Sequence, residues 1–248
     1  MGIEAGSSTY YQAKRGIVQD GLVLHLDAGV KESYGGAGST IRDISGNGRN
    51  GTLYNGPTFS RSGQKPSISF DGSNEFIAVS SPSNTFDWTP SGVGLNELTV
   101  DLWVKSEDTV GQYFSKPWGG GQYNININYN TFSLYCGTGK SISISSLATG
   151  DWENVVGVAN STQMASYRNG TVYTNFVNHG ITSNSPPIGT AQNQPLCIMF
   201  LVNYGTGTYN LPQYAVSGNV GCFRIYNRVL SADEISQNYN ATRHRFGV

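Results

Sequence analysis

Along most of this chain the apolar positions recur with a period of two. Leu98, Val100, Leu102 and Val104 alternate with Thr99, Asp101, Trp103 and Lys105, the pattern of a half-buried strand. Leu22, Leu24 and Leu26 against Val23, His25 and Asp27 predict a first strand over 22–27. Residues 67–70 alternate again and run into an Asp71-Gly72 turn, and Ile142 and Ile144 are in phase over 141–145. Over 123–130, Tyr123, Ile125, Ile127 and Tyr129 share one face and Asn124, Asn126, Asn128 and Asn130 the other. Residues 196–202 are continuously apolar, as in a central strand buried on both faces. Asn169-Gly170 between Tyr167 and Val172 marks a tight hairpin. Residues 41–59, dense in Gly and Asn, predict a loop with several positive-φ turns. On the order of a dozen short strands with turn signals between them predict an all-β sandwich or jelly roll.

One segment breaks the period. After a short strand and the run Arg224-Ile225-Tyr226-Asn227-Arg228, Ser231 and Glu234 have the spacing of a capping box, with Leu230 and Ile235 as a hydrophobic staple. Asp233 and Glu234 fall at the positive end of this short C-terminal helix, and Arg243, His244 and Arg245 at the negative end. Residues 1–20 form a polar arm without a clear period. No internal repeat or second boundary divides 21–248, and 248 residues is close to the upper size for one hydrophobic core.

Composition narrows the function classes. Charged residues make up 12%, Gly and Tyr number 32 and 15, and the net charge is −1. No basic run offers a nucleic-acid backbone the clustered cations it needs. Cys136, Cys197 and Cys222 are an odd number in apolar or strand-like surroundings, where thiols behave as small hydrophobes. The first residues lack the apolar stretch of a signal peptide, and no apolar run reaches membrane-spanning length. The expectation is a soluble product of a cytoplasm.

Seven segments in order, from GLVLHLDAG through DISGNGRNGTLYNGPTF, SISFDGSNEFIAV, LTVDLWVK, GDWENVVGVA and YRNGTVY to FRIYNRVLSADEISQNYNA, span Gly21 to Ala241. Together they resemble the laminin-G-like family of the concanavalin A-like lectin/glucanase superfamily. The resemblance implies a β-sandwich of two curved antiparallel sheets, with Trp103 and Trp152 as core aromatics. The opening strand and the closing Arg245-Phe246-Gly247-Val248 tail are similar to laminin-G-like virion proteins of tailed phages. That likeness implies a non-enzymatic capsid-decoration or tail-associated component, made in the host cytoplasm and partnered by other virion proteins or copies of itself. The alternative is a carbohydrate-binding adhesin.

Enzymatic signals are absent from the sequence. Glycosidic cleavage requires two carboxyl groups about one bond, and the strand pattern E-x-D-x-x-E of the superfamily's glucanases does not occur. Asp101 stands alone on its strand, with Glu107 and Asp108 beyond its end. His25, His179 and His244 sit in no recognisable base motif, and Cys and His have no zinc spacing. For a glycan or protein partner, Tyr113, Trp118 and Tyr123 beside Asn124, Asn126 and Asn128 offer aromatic faces and planar amides. The resemblance also implies calcium at the sandwich rim, with Asp27, Asp43, Asn47 and Asn50 as the oxygen donors close in sequence. The competing reading is that these side chains bond their own backbone turns. Gly221-Cys222 replaces the acidic residue frequent in the family before the last strand.

Overall fold

The computed structural model describes residues 16–61, 65–80, 86, 97–108, 111–117, 123–128, 131–136, 140–144, 149–180, 195–200 and 214–248. In chain order the strands are β1 (Leu22–Asp27), β2 (Thr40–Ile41), β3 (Gly51–Tyr54), β4 (Thr58–Ser60), β5 (Ser67–Asp71) and β6 (Phe76–Val79). Next come β7 (Leu98–Ser106), β8 (Gln112–Pro117), β9 (Tyr123–Asn128), β10 (Thr131–Cys136) and β11 (Lys140–Ser143). The series closes with β12 (Trp152–Ala159), β13 (Gln163–Arg168), β14 (Thr171–Asn178), β15 (Leu196–Ile198) and β16 (Ser217–Tyr226). Helix α1 (Ala232–Thr242) follows, then a single 3-10 turn over Arg243–Arg245.

Two antiparallel sheets result. The first has the order β14-β13-β12-β7-β16-β5-β4, with β1 joining β16 beside β5; the second runs β11-β10-β9-β8-β15-β6-β3-β2. Strand β16 is the longest. It pairs with β7 along one edge and with β5 and then β1 along the other. The core lies between the sheets, where Leu98, Val100, Leu102 and Val104 of β7 meet Phe114, Ile127 and Phe132 of the second sheet. The β7 alternation read from the sequence is therefore the inner/outer division of that strand.

The outer face of the first sheet is covered as well. Helix α1 begins with the expected capping box: the Ser231 side chain accepts from the Glu234 amide, and Glu234 accepts from the Ser231 amide. Leu230 and Ile235 join Val156, Val158, Tyr167 and Tyr226 in a second apolar cluster. Trp103 and Trp152 are buried, not between the sheets but against Phe246 on this outer face. Asn169 and Gly170 have φ of 50° and 75° and join β13 to β14 in the expected tight turn.

Four expectations change. In β1 a register shift between Leu22 and Leu24 sends Leu22 to the outer cluster and Leu24 to the core. Strict alternation therefore fails there. The segment 41–59 is not only loop: β3 and the start of β4 lie within it, separated by positive-φ Asn55 and Gly56. The basic residues 243–245 do not form the last turn of α1. They make the separate 3-10 turn, and Arg245 reaches back to Asp27. The arm also ends earlier than residue 20. Val18 is buried, its amide donates to Asn238 Oδ1 at 2.8 Å, and its carbonyl accepts from the Tyr226 hydroxyl at 3.1 Å. Residues 1–15 lie outside the described residues.

Candidate functional site

The outward side chains of β7 divide one sheet face into a sealed half and an open half. Thr99, Asp101 and Trp103 are sealed. Thr99 Oγ1 donates to the Arg228 carbonyl, and Trp103 Nε1 donates to Thr242 Oγ1 at 2.9 Å. Asp101 accepts from Arg224 Nη1 at 2.7 Å, Asn154 Nδ2 at 2.7 Å and Asn238 Nδ2 at 3.1 Å. Asp101 and Arg224 are both 1% exposed or less, so each charge depends on the other and on its hydrogen bonds. This network fastens α1 and the 16–18 segment to the sheet.

The fourth outward residue, Lys105, opens into a groove of about 700 Å³. Lys105 lies opposite Trp152 of β12 on one side and Asn219 of β16 on the other. Asn219 faces Ser69 of β5, and its Nδ2 donates to Ser67 Oγ at 3.4 Å. Lys65, Asp151, Glu153 and Asn169 complete the polar lining, and Trp152 and Phe246 form an almost wholly buried apolar wall. Glu153 is ion-paired with Arg168, and Asn169 Oδ1 accepts from the Asn154 amide. A register shift between Val220 and Cys222 lets both Asn219 and Cys222 face outward. At the shift, a Cβ on Gly221 would come within 2.3 Å of the Phe246 ring, so a side chain there would displace the groove wall.

The residues read from the sequence as calcium donors are engaged within the chain. Asp27 takes Arg245 Nη2 at 2.6 Å and Nη1 at 2.8 Å, and also the Gly29 amide. Burial alone would raise the Asp27 pKa. The His25 ring and Arg245 outweigh it and hold the carboxyl well below the usual carboxylate range. Asp43 accepts the amides of His25, Ser45 and Arg49 together with the Ser45 hydroxyl. Asn50 Oδ1 accepts the Asp43 amide, and Asn47 Nδ2 donates to the Val23 carbonyl and Ser45 Oγ. Asp43, Asn47 and Asn50 brace a loop against β1, as Asx side chains do, while Asp27 ties β1 to the C-terminal 3-10 turn. Among the described residues no three of His, Cys, Asp and Glu gather in a metal-binding cluster.

The aromatic and amide group expected on the second sheet does not form one open surface. A register shift between Gln112 and Phe114 turns both Tyr113 and Phe114 into the core. Tyr113 is fully buried, and its hydroxyl donates to Ser106 Oγ at 2.6 Å. Asn126 is buried and Asn128 half-buried. Tyr123 and Asn124 lie on β9 with their side chains outside the description, and Trp118 and Gly119–Gly121 lie outside the described residues. Cys197 and Cys222 are buried free thiols, and burial pushes Cys222 up to about 12.

A family model, Laminin_G_3, described as the concanavalin A-like lectin/glucanases superfamily, matches residues 71–236. The chain belongs to this laminin-G-like family. No curated protein matches it in sequence. Among solved structures, the laminin-G-like chain is similar to domain 4 of AbnA, a GH43 extracellular arabinanase from Geobacillus stearothermophilus, solved with arabinotriose. That similarity has a TM-score of 0.62 at 16% identity and covers 88% of this chain and 98% of that one. The binding domain of Paraclostridial Mosquitocidal Protein 1 gives 0.61 at 14%, covering 90% and 52%. Trypanosoma rangeli sialidase in complex with the inhibitor DANA gives 0.58 at 14%, covering 95% and 35%. The laminin-G-like chain thus spans about half of the toxin domain and about a third of the sialidase. At these identities the likeness is one of fold.

Lys105 was legible as an outward residue of an alternating strand. Asn219 was not: the β16 register shift that turns it outward depends on Gly221 giving way to Phe246, 25 residues later in the chain.

Proposed function

We propose that this protein is a non-catalytic carbohydrate-binding module whose ligand lies in the groove on the outer face of the first sheet. One observation carries the reading. The groove is of ligand-binding size and is lined by amides, hydroxyls and charged side chains, of which Ser60, Ser67, Lys105, Glu153 and Asn219 stand on strands of the sheet. Planar amides such as Asn219 suit the paired hydroxyls of sugars, and a site on strands needs little ordering when a ligand binds. The family's fold, and a structural neighbour solved with arabinotriose, support the ligand class. Binding without cleavage is favoured because Glu153, the buried acid of the groove, is committed to Arg168, whereas glycosidic cleavage uses two available carboxyl groups.

The virion likeness rests on the opening strand and the Arg245–Val248 tail. Both have roles inside the domain: β1 pairs with β16, and Arg245 holds Asp27. These features therefore give virion assembly no independent support.

The test is a glycan array followed by titration calorimetry on any hit. Asn219→Ala should weaken binding by about tenfold, the effect of removing hydrogen bonds to a ligand, with an unchanged melting temperature. An empty array, or binding indifferent to Asn219→Ala, overturns the groove as the site. Released reducing ends would overturn the non-catalytic part.

A further inference from the structure

We infer that the ligand of this groove is an anionic saccharide whose carboxylate or sulfate group is seated between Lys105 and Lys65. The inference rests on the glycan-binding reading above and specifies its ligand class.

The charge arrangement on this face is uneven. Three acids buried under or beside it are each matched by an arginine: Asp101 by Arg224, Glu153 by Arg168 and Asp27 by Arg245. Lys105 and Lys65 also line the face, both half-buried, and neither enters an ion pair among the described residues. Lys65 lies across the groove end, with its Nζ 3.1 Å from where a Cβ on Gly247 would stand. Asp151 is the remaining acidic side chain of the lining. It is exposed at the rim and makes no ion pair with either lysine, so solvent screens it.

A half-buried ammonium has lost part of its hydration without gaining a counter-charge. A ligand anion supplies that charge in a setting of reduced dielectric, where charge-assisted hydrogen bonds are stronger than neutral ones. Lysine acts as a point charge on a flexible stem, so an anionic group between the two side chains can be met by both without a particular planar geometry. Asn219 and Ser67, between them on the adjoining strands, provide the neutral contacts that orient the sugar ring.

The decisive experiment is an array of neutral, carboxylated and sulfated oligosaccharides, followed by calorimetry of the best hits against wild type and the Lys105→Met and Lys65→Met variants. Methionine keeps the length of the stem and removes the charge. The expected result is a set of hits dominated by anionic sugars, with affinity falling as salt is raised. Lys105→Met should weaken these hits by about tenfold and a neutral analogue by clearly less. Near-UV circular dichroism matching wild type shows that each variant is folded. If carboxylated probes bind and sulfated ones do not, the anion is a uronate-type carboxylate; the reverse identifies a sulfate ester. Hits confined to neutral sugars, or anionic binding unaffected by both methionine variants, overturn the inference and leave the glycan-binding module standing. An array without hits overturns both.

Discussion

Asp101 and Arg224 show how a residue's meaning depends on what is packed above it. On the strand pattern Asp101 is a lone outward acid, the nearest thing in the sequence to a hydrolase carboxylate. In the fold it is the counter-ion of Arg224, enclosed by Asn154, Asn238 and α1. Removing one member strands the other charge in the interior. Arg224→Met should cost about 3–5 kcal/mol, read as a lowered urea midpoint. Adding Asp101→Leu to Arg224→Met should recover a large part of that loss, because the uncompensated charge is then gone. A double variant no more stable than the single one would show that the network contributes through something other than charge pairing.

Elements are held to the first sheet by contacts that local patterns show only in part. The capping box and staple of α1 were legible because all their members lie within six residues of one another. The docking of Phe246 was not. It stacks on Trp103 with ring centroids 4.2 Å apart and fills the space above Gly221. Gly221→Ala should therefore push Phe246 off the sheet, destabilising the domain by about 1–3 kcal/mol as overpacking does. Differential scanning calorimetry would register this as a lower melting temperature, and Phe246→Leu in the Gly221→Ala background should restore part of it. An unchanged melting temperature for Gly221→Ala would mean that the tail is held elsewhere.

For the molecule as a whole, buried His25 and Asp27 give the stability on the acid side a pH dependence of one sign. His179, whose pKa burial also lowers, adds to it in the same window as His25. Burial lowers the His25 pKa by more than its Asp27 contact raises it, with Arg224 and Asp101 also acting on the ring. The unfolded chain takes up this proton near pH 6.5, so stability is full above about 6.5 and falls as the pH drops below it. Asp27 is depressed in the fold, so its contribution is present above its unfolded value of about 3.9 and is lost on further acidification. Glu234, lowered to about 2 chiefly by its hydrogen bonds from Arg228, adds to the loss in the same lower window. Urea midpoints should decline between about pH 7 and pH 5, and His25→Gln should flatten that part of the curve. A wild-type midpoint constant over that interval would contradict the burial of a neutral His25.

The sequence alone determined the features whose cause is local. The two-residue period sorts inner from outer side chains on β7, the Asn169-Gly170 pair makes a hairpin, and Ser231 with Glu234 starts α1. Each follows from backbone geometry and the side chains of a few neighbours, and the family resemblance added the two-sheet arrangement into which they assemble. Tertiary structure decided what each outward polar residue does. Register shifts in β1, β8 and β16 changed which side chains share a face, sending Leu22 outward, Tyr113 inward and Asn219 into the groove. Asp27 found Arg245 across 218 residues, and α1 covered Asp101 while leaving Lys105 open. A periodic pattern carries the direction of a side chain only while the register holds. What covers that side chain is set by segments distant in sequence, whose approach costs chain entropy and is favoured only once the sheets have formed.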